Sequence, residues 1–505
     1  MKAGLKAFNL SDLGFLYGLL FTLSLVLINP RGVPFGGIWT TPKFYIVAAL
    51  AALTWGVLLG LGVRRLRERG RGGWKPPAGW GVAAGLWLAF LASGGVTILL
   101  SPVTFRSARI ANAEMGDGWV YWACVAALVL GNALLLKRFP ALFKAQLYGL
   151  LIGGVLSALA VFAQSVNWRL DFTDTTGRVF PFQGVWQLQS GIFKGWMPIG
   201  FTSNRGHVGF ILAALTVLLP VCLTRGWLRG RVGWPLYALF LAALYLTSSR
   251  GVMLAFGAGM VYLLFRFWRV PKGRRVMLAA FAPLVLGGAL LASGVVGTGL
   301  TRTLPPLRAI IDNPFGFTSA RTNLWPSAVD GIRARPLFGW GYNGFGLAWP
   351  HVNDFDVKWR TYLARSQDDP KRRAGVVRIL RNNHASFEYL ATDGNTYRVA
   401  NLTNKAHNIV LDTAVSVGLV GLALYALLFG FLVRLTAKGE GWGLEALAVV
   451  YVVFGLTWFE SAQYSHVVWW ALSAGLAFYA LPQTVVVRNR DERRLGEAVT
   501  VSPNA

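Results

Sequence analysis

Charge is scarce in this chain. Asp, Glu, Lys and Arg together make up 14% of its 505 residues, against roughly 25% in an ordinary soluble domain. Cysteine is nearly absent: Cys124 and Cys222 are the only two. Both fall inside apolar runs, where neither is placed for a disulfide or a metal site, and each reads as a small buried apolar residue. The sequence also lacks Gly-x4-Gly-Lys-Ser/Thr, His-Glu-x-x-His and Cys-x-x-Cys, so ATP hydrolysis and zinc hydrolysis find no support. It contains no internal repeat and no low-complexity tract.

What the chain has in excess is apolar residue. The hydrophobic share is 54% and the mean hydropathy is +0.49. The apolar residues are grouped in runs of roughly 17–25, the length a helix needs to cross a hydrocarbon core of about 30 Å. Inside lipid every backbone polar group must be satisfied within the chain, so such runs become helices. The expected fold is therefore an all-α polytopic membrane protein with about twelve transmembrane helices, at 13–29, 43–63, 79–100, 119–136, 145–166, 206–224, 235–249, 251–267, 276–299, 407–433, 444–460 and 466–482. The first run, Leu13–Ile28, has no small-residue cleavage motif after it and is expected to be a retained span. The pair at 235–249 and 251–267 is separated only at Ser249-Arg250.

The net charge of +28 does not point to nucleic acid, because the basic residues cluster in short segments between apolar runs. About 25 of them fall with the N-terminus on one side, including Arg64, Arg65, Lys137, Lys144, Arg229, Arg231, Arg266 and Arg434, against about 9 in the short loops opposite. The positive-inside rule then puts both termini in the cytoplasm, in the cytoplasmic membrane. The chain divides into residues 1–200 (five spans and an outer loop), 201–299 (spans six to nine), 300–406 (one large extracytoplasmic loop domain), 407–485 (the last three spans) and a cytoplasmic tail at 486–505. The 15 basic residues of 300–406 do not count toward topology, since long translocated loops cross regardless of charge.

Candidate chemistry lies on the outer side. Thr247-Ser248-Ser249-Arg250-Gly251 sits at the outer end of a hairpin, and Thr202-Ser203-Asn204-Arg205-Gly206-His207 repeats the pattern at the start of span six. A lone arginine there could simply snorkel, but two such corners on one face can gather donors for an anion. Arg321 and Trp325 are spaced for one helix turn. Gly339, Gly341 and Gly344 match Gly-x-Gly-x-x-Gly, but no βαβ unit surrounds them, and they read instead as a close-packed lip with aromatics available to stack on sugars. His407 and Asn408 open span ten: Asn408 can cap the helix, while a histidine at a helix N-terminus is held neutral and can accept a proton. Asp412, within the following apolar run, needs a partner. His207, His351, His384 and His466 are also on or near this side, with nothing to put them first.

Four of these blocks, Thr247–Gly251, Arg321–Trp325, Pro336–Phe345 and His407–Gly421, resemble in order and spacing the O-antigen ligase / O-antigen polymerase superfamily of membrane glycosyltransferases, over roughly residues 200–435. The resemblance implies a GT-C-like fold and a cofactor-free, metal-independent, inverting transfer of a glycan from undecaprenyl pyrophosphate to an acceptor hydroxyl. It implies that Arg250 and Arg321 bind the pyrophosphate, that His407 is the base, and that Asn408, Asp412 and Trp325 support them; Arg205 joins the arginines by position. An O-antigen ligase acting on lipid A core is favoured over a polymerase or a protein O-oligosaccharyltransferase, which share these residues. The family often carries a glutamate two residues before the Gly418 position, where this chain has Ser416. Two other readings are a lipid-linked saccharide transporter or flippase, which would place its site at the midplane between repeats, and a peptidoglycan-type polymerase of the shape and division family.

Overall fold

The computed structural model describes residues 10–32, 36–67, 75–102, 110, 115–165, 179–182, 185–188, 198–247, 249–292, 321–352, 376–382, 386–400 and 405–479. The chain is mostly helical. In order, the N-terminal half holds α1 (Leu10–Val26), a π turn (Gly36–Thr40) running into α2 (Thr41–Arg67), α3 (Trp80–Leu100), α4 (Trp119–Arg138) and α5 (Leu142–Ser165), then the hairpin β1 (Val179–Phe182) and β2 (Val185–Leu188). Next come α6 (Arg205–Arg225), α7 (Gly230–Leu246), α8 (Arg250–Phe267) and α9 (Pro271–Ala292). The insertion supplies α10 (Arg321–Ala334), α11 (Gly344–Val352) and the antiparallel sheet β3 (Val376–Asn382), β4 (Ser386–Ala391) and β5 (Thr396–Ala400). The last helices are α12 (Ile409–Lys438), α13 (Ala446–Gly455) and α14 (His466–Phe478).

Among the described residues seven helical segments are long and apolar enough to cross a membrane: Gly36–Val63, α3, α4, α5, α6, α8 and α12. Helices α1, α7, α13 and α14 are apolar but shorter, and α9 runs to the edge of the described residues. The chain is an integral membrane protein. The expected break in the long apolar stretch after residue 235 occurs, with α7 ending at Leu246 and α8 starting at Arg250. The tail at 486–505 lies outside the described residues.

The core is built around α6. It is apolar all round and its spanning window is wholly buried, as expected of a helix with neighbours on every side; α5, α7, α8, α9 and α13 surround it. The peripheral helices turn large apolar side chains outward, Phe15, Leu59, Leu88 and Phe265 among them, as lipid-facing surfaces do. Helices α1 and α5 approach through small residues, with Gly18 backbone atoms against Gly149, a contact held by close packing and by the Thr22 hydroxyl, which donates to Gly149 O at 2.9 Å. The insertion has its own small core of Ala328, Trp340, Phe345, Trp349, Tyr389 and Ala391, and that core includes Val415 of α12.

Candidate active site

The site begins with a break in α12. The run from Ile409 to Lys438 is mostly apolar, yet at Gly418 the backbone turns to φ 72°, ψ −179°, a conformation open to glycine. A break inside a membrane frees N–H and C=O groups that water cannot reach, so protein must satisfy them. The Pro336–Gly344 loop does so. Trp340 N donates to Val415 O at 2.9 Å and Gly341 N to Ser416 O at 3.0 Å, while Leu419 N donates to Pro336 O at 2.7 Å and Val420 N to Leu337 O at 3.3 Å. Backbone meets backbone so closely that a Cβ on Gly344 would lie 2.5 Å from Ser416 Cα. Ser416 accepts the Gly344 N–H on its hydroxyl at 2.9 Å and so helps seat the loop. The lip expected from the glycines is present, but its aromatics are not offered for stacking. Trp340, Tyr342, Phe345 and Trp349 are all buried, because the glycines bring the loop down onto α12.

Ahead of this break stands the turn that carries His407. His407 is one of two non-glycine residues with positive φ among those described, at 55°, a region few side chains adopt. Its neighbours hold it there. Asp412, one turn into α12, accepts from Ala406 N at 2.8 Å and Asn408 N at 3.4 Å, the two N–H groups flanking His407. Asn408 caps the helix by accepting from Val410 N at 3.0 Å and Leu411 N at 3.2 Å, and its amide nitrogen donates to Leu456 O at 3.2 Å. Lys405, fully buried, is ion-paired with Asp117 from the α3–α4 connection. Burial works against the Lys405 ammonium, but the carboxylates of Asp117, Asp412 and Glu460 outweigh it and hold its pKa above the usual lysine value. Asp412 therefore finds its partners in backbone N–H groups and a lysine rather than in an arginine.

The imidazole of His407 packs edge-on against Trp458 and Phe459, with centroids 5.1 and 5.0 Å away. The same two rings contact His207, at 5.7 and 5.8 Å. His207 is buried at the start of α6, its Nδ1 3.2 Å from Gln463 Oε1 and 3.3 Å from Ser203 Oγ. The turn at Thr457–Phe459 is thus a hub. Trp458 also lies against Gly206, and Thr457 against Gly251, so the first turns of α6 and α8 both abut it. Arg205 opens α6 and Arg250 opens α8, and the two guanidinium groups are near enough to repel one another. Two helix N-termini, each led by an arginine, form a setting that favours an anion. Arg321 opens α10, but its side chain lies outside the described residues. Trp325 follows one turn later, half-buried, with its indole N–H lacking a hydrogen-bond partner among the described residues.

Below the His407 turn is a small cavity of about 30 Å³ lined by Asp117, Asp412, Glu460, Tyr342, Ser416 and Tyr425 among others. A water fits such a space. Tyr451 donates to Glu460 and shares a 2.8 Å hydrogen bond with Tyr425. Among the described residues no group of three or more His, Cys, Asp or Glu side chains is placed to hold a metal ion. Asp117, Lys405, Glu460 and His207 did not stand out in the sequence. The available signals were slight: an acid at the end of an apolar run, a lysine two residues before His407, and a histidine directly after the Arg205-Gly206 corner.

The described helices thus form a polytopic membrane protein in which two arginine-led helix starts and a constrained histidine meet on one aromatic turn. Residues 235–426 match the family model described as O-antigen ligase. The match runs from α7 into α12 and takes in Arg250, Arg321, the Pro336–Gly344 loop and His407, whereas Asp117, Arg205, His207 and Glu460 lie outside it. No curated protein matches the chain.

Proposed function

We propose that this protein is an O-antigen ligase: a metal-independent, inverting glycosyltransferase that moves a glycan from undecaprenyl pyrophosphate to a hydroxyl of lipid A core, on the outer side of the cytoplasmic membrane. His407 takes the proton from the acceptor hydroxyl as its oxygen attacks the anomeric carbon. The bond from that carbon to the pyrophosphate oxygen breaks, and undecaprenyl pyrophosphate leaves with the bonding electrons. One in-line displacement inverts the anomeric centre. Arg205, Arg250 and Arg321 bind the pyrophosphate and stabilise the charge that grows on it, a role for which fixed donors in a water-poor site are well suited. Asn408 and Asp412 hold the base in place, and Trp325 stands by Arg321 on α10.

The convergence of the α6 and α8 N-termini and of His407 on the Thr457–Phe459 turn supports this reading. It brings Arg205, Arg250 and His407 to one end of the bundle. The test is a membrane assay with purified lipid-linked glycan, offering lipid A core, a second lipid-linked unit or a protein as acceptor. Lengthened lipid A core that disappears in His407→Ala supports the ligase; extension of another acceptor alone reassigns the subclass. Arg250→Lys should lower donor affinity, because a point charge cannot replace the planar fork, and unchanged affinity in that variant and in Arg321→Lys would remove the pyrophosphate clamp.

A further inference from the structure

At the opposite end of α6 and α7 from Arg205 and Arg250, the helices α5 and α7 and the turn between α6 and α7 enclose a cleft of about 690 Å³. That volume is within the range of ligand pockets. Lys144 of α5, Arg229 of the turn and Arg231 of α7 line it, and no acidic residue does. The nearby described carboxylates at this end of the bundle are committed elsewhere: Glu440 pairs with Arg225 at 3.1 Å and Glu445 with Arg266 at 3.0 Å. Lys144, Arg229 and Arg231 form no ion pair among the described residues. The rest of the cleft is apolar. Tyr148 and Ile152 on α5 and Val232 on α7 line it and remain exposed, so the walls run along two helices away from the charged mouth. One wall is fixed, because Trp227 packs edge-on against Phe143 at 4.7 Å and under the Arg225 guanidinium at 5.6 Å.

We infer that this cleft binds an anionic glycerophospholipid, with the headgroup phosphate among Lys144, Arg229 and Arg231 and the two acyl chains along the α5 and α7 walls. Three cations without a carboxylate, at the end of a membrane bundle, need anionic compensation, and a basic pocket between spans meets that need with a lipid phosphate. Two apolar walls descending from one charged mouth suit a headgroup that carries two chains better than one that carries a single polyprenyl chain. The site is separate from the His407 end and does not depend on the transferase reading.

The test uses the purified full-length chain, stripped of lipid in detergent and titrated with phosphatidylglycerol, phosphatidylcholine, a polyprenyl phosphate or inorganic phosphate, with bound molecules counted by native mass spectrometry. The expected result is retention of phosphatidylglycerol over phosphatidylcholine. Combining Lys144→Gln, Arg229→Gln and Arg231→Gln should weaken phosphatidylglycerol retention by roughly 100-fold and leave phosphatidylcholine unchanged. Ile152→Trp with Val232→Trp fills the apolar walls, keeps every charge and should also weaken it, which covers the case in which the triple variant fails to fold. Equal retention of the two phospholipids, undiminished binding in both variants, preference for the polyprenyl phosphate, or displacement by inorganic phosphate at matched concentration would each overturn the proposal.

Discussion

His207 and His407 pack on the same two rings, Trp458 and Phe459, from opposite ends of the sequence. Their settings differ. His207 is tied into a polar chain in which Gln463 also donates to Thr40 Oγ1 and Ser203 Oγ, both at 2.9 Å, whereas His407 sits on a turn at the head of α12. His407→Ala is therefore expected to lower glycan transfer by about 10²–10⁴-fold with little change in thermal unfolding. His407→Asn should be equally inactive, since asparagine tolerates the left-handed backbone but is no base. His207→Phe, which keeps the ring packing, should retain more activity than either. Equal activity of His407→Asn and wild type in the transfer assay would exclude His407 as the proton acceptor.

Asp412 acts on His407 through the backbone. Asp412→Asn leaves one carbonyl oxygen for two N–H groups, so the turn should loosen. The expected cost is about 1–3 kcal/mol of stability, with kcat falling while KM for the donor stays within error. A fall in donor affinity alone would place Asp412 at the pyrophosphate instead.

Breaking the Asp117–Lys405 pair takes the ion-pair partner from a buried charge. Asp117→Asn or Lys405→Met should each cost about 3–5 kcal/mol, and the double variant should recover much of the loss, as read by thermal unfolding in detergent. The sign with pH follows from the raised pKa of Lys405. Its contribution is complete below the ordinary lysine value of 10.5 and disappears as pH rises through the higher folded value. Additive losses in the double variant would show that the pair is not coupled.

Gly418 and Gly430 lie in one helix and should respond in opposite ways to the same change. A Cβ at Gly418 meets the Leu337 carbonyl at a φ of 72°, whereas at Gly430 nothing lies within 4 Å. Gly418→Ala should cost about 2 kcal/mol or more, and Gly430→Ala should be neutral or stabilising by about 0.5–1 kcal/mol. Comparable folded yields and melting temperatures for the two would contradict the break in α12.

His351 on α11 is exposed to solvent on one side but stacked with Trp340 at 5.2 Å, and desolvation by its neighbours pushes its pKa below the ordinary histidine value of 6.5. The unfolded chain then takes up a proton that the folded chain refuses. Stability is complete above 6.5 and declines as pH drops below it. His351→Phe should flatten that decline in melting temperature between neutral and mildly acidic pH; an unchanged slope would assign the decline to other groups.

The helices were legible because a bilayer sets both their length and their composition, and Arg205 and Arg250 could be read as one repeated corner. The break in α12 was not, since residues 407–433 are apolar enough to read as one span and only Gly418 marks the place. The charges around His407 were hidden for a different reason. Asp117, Lys405 and Glu460 come from three distant connections, and each is an ordinary polar residue until the bundle closes around it. The aromatics after Gly339 were read as exposed because their spacing records the turn but not the surface it is pressed against.

The plugged discontinuity of α12 has a consequence for biogenesis. Because the Val415–Val420 backbone is completed by the Pro336–Gly344 segment, this helix cannot enter lipid fully formed on its own. The Pro336–Gly344 segment must dock on it before the C-terminal helices settle. Assembly of the last three helices is thereby made contingent on folding of the insertion, a built-in order between loop docking and membrane integration.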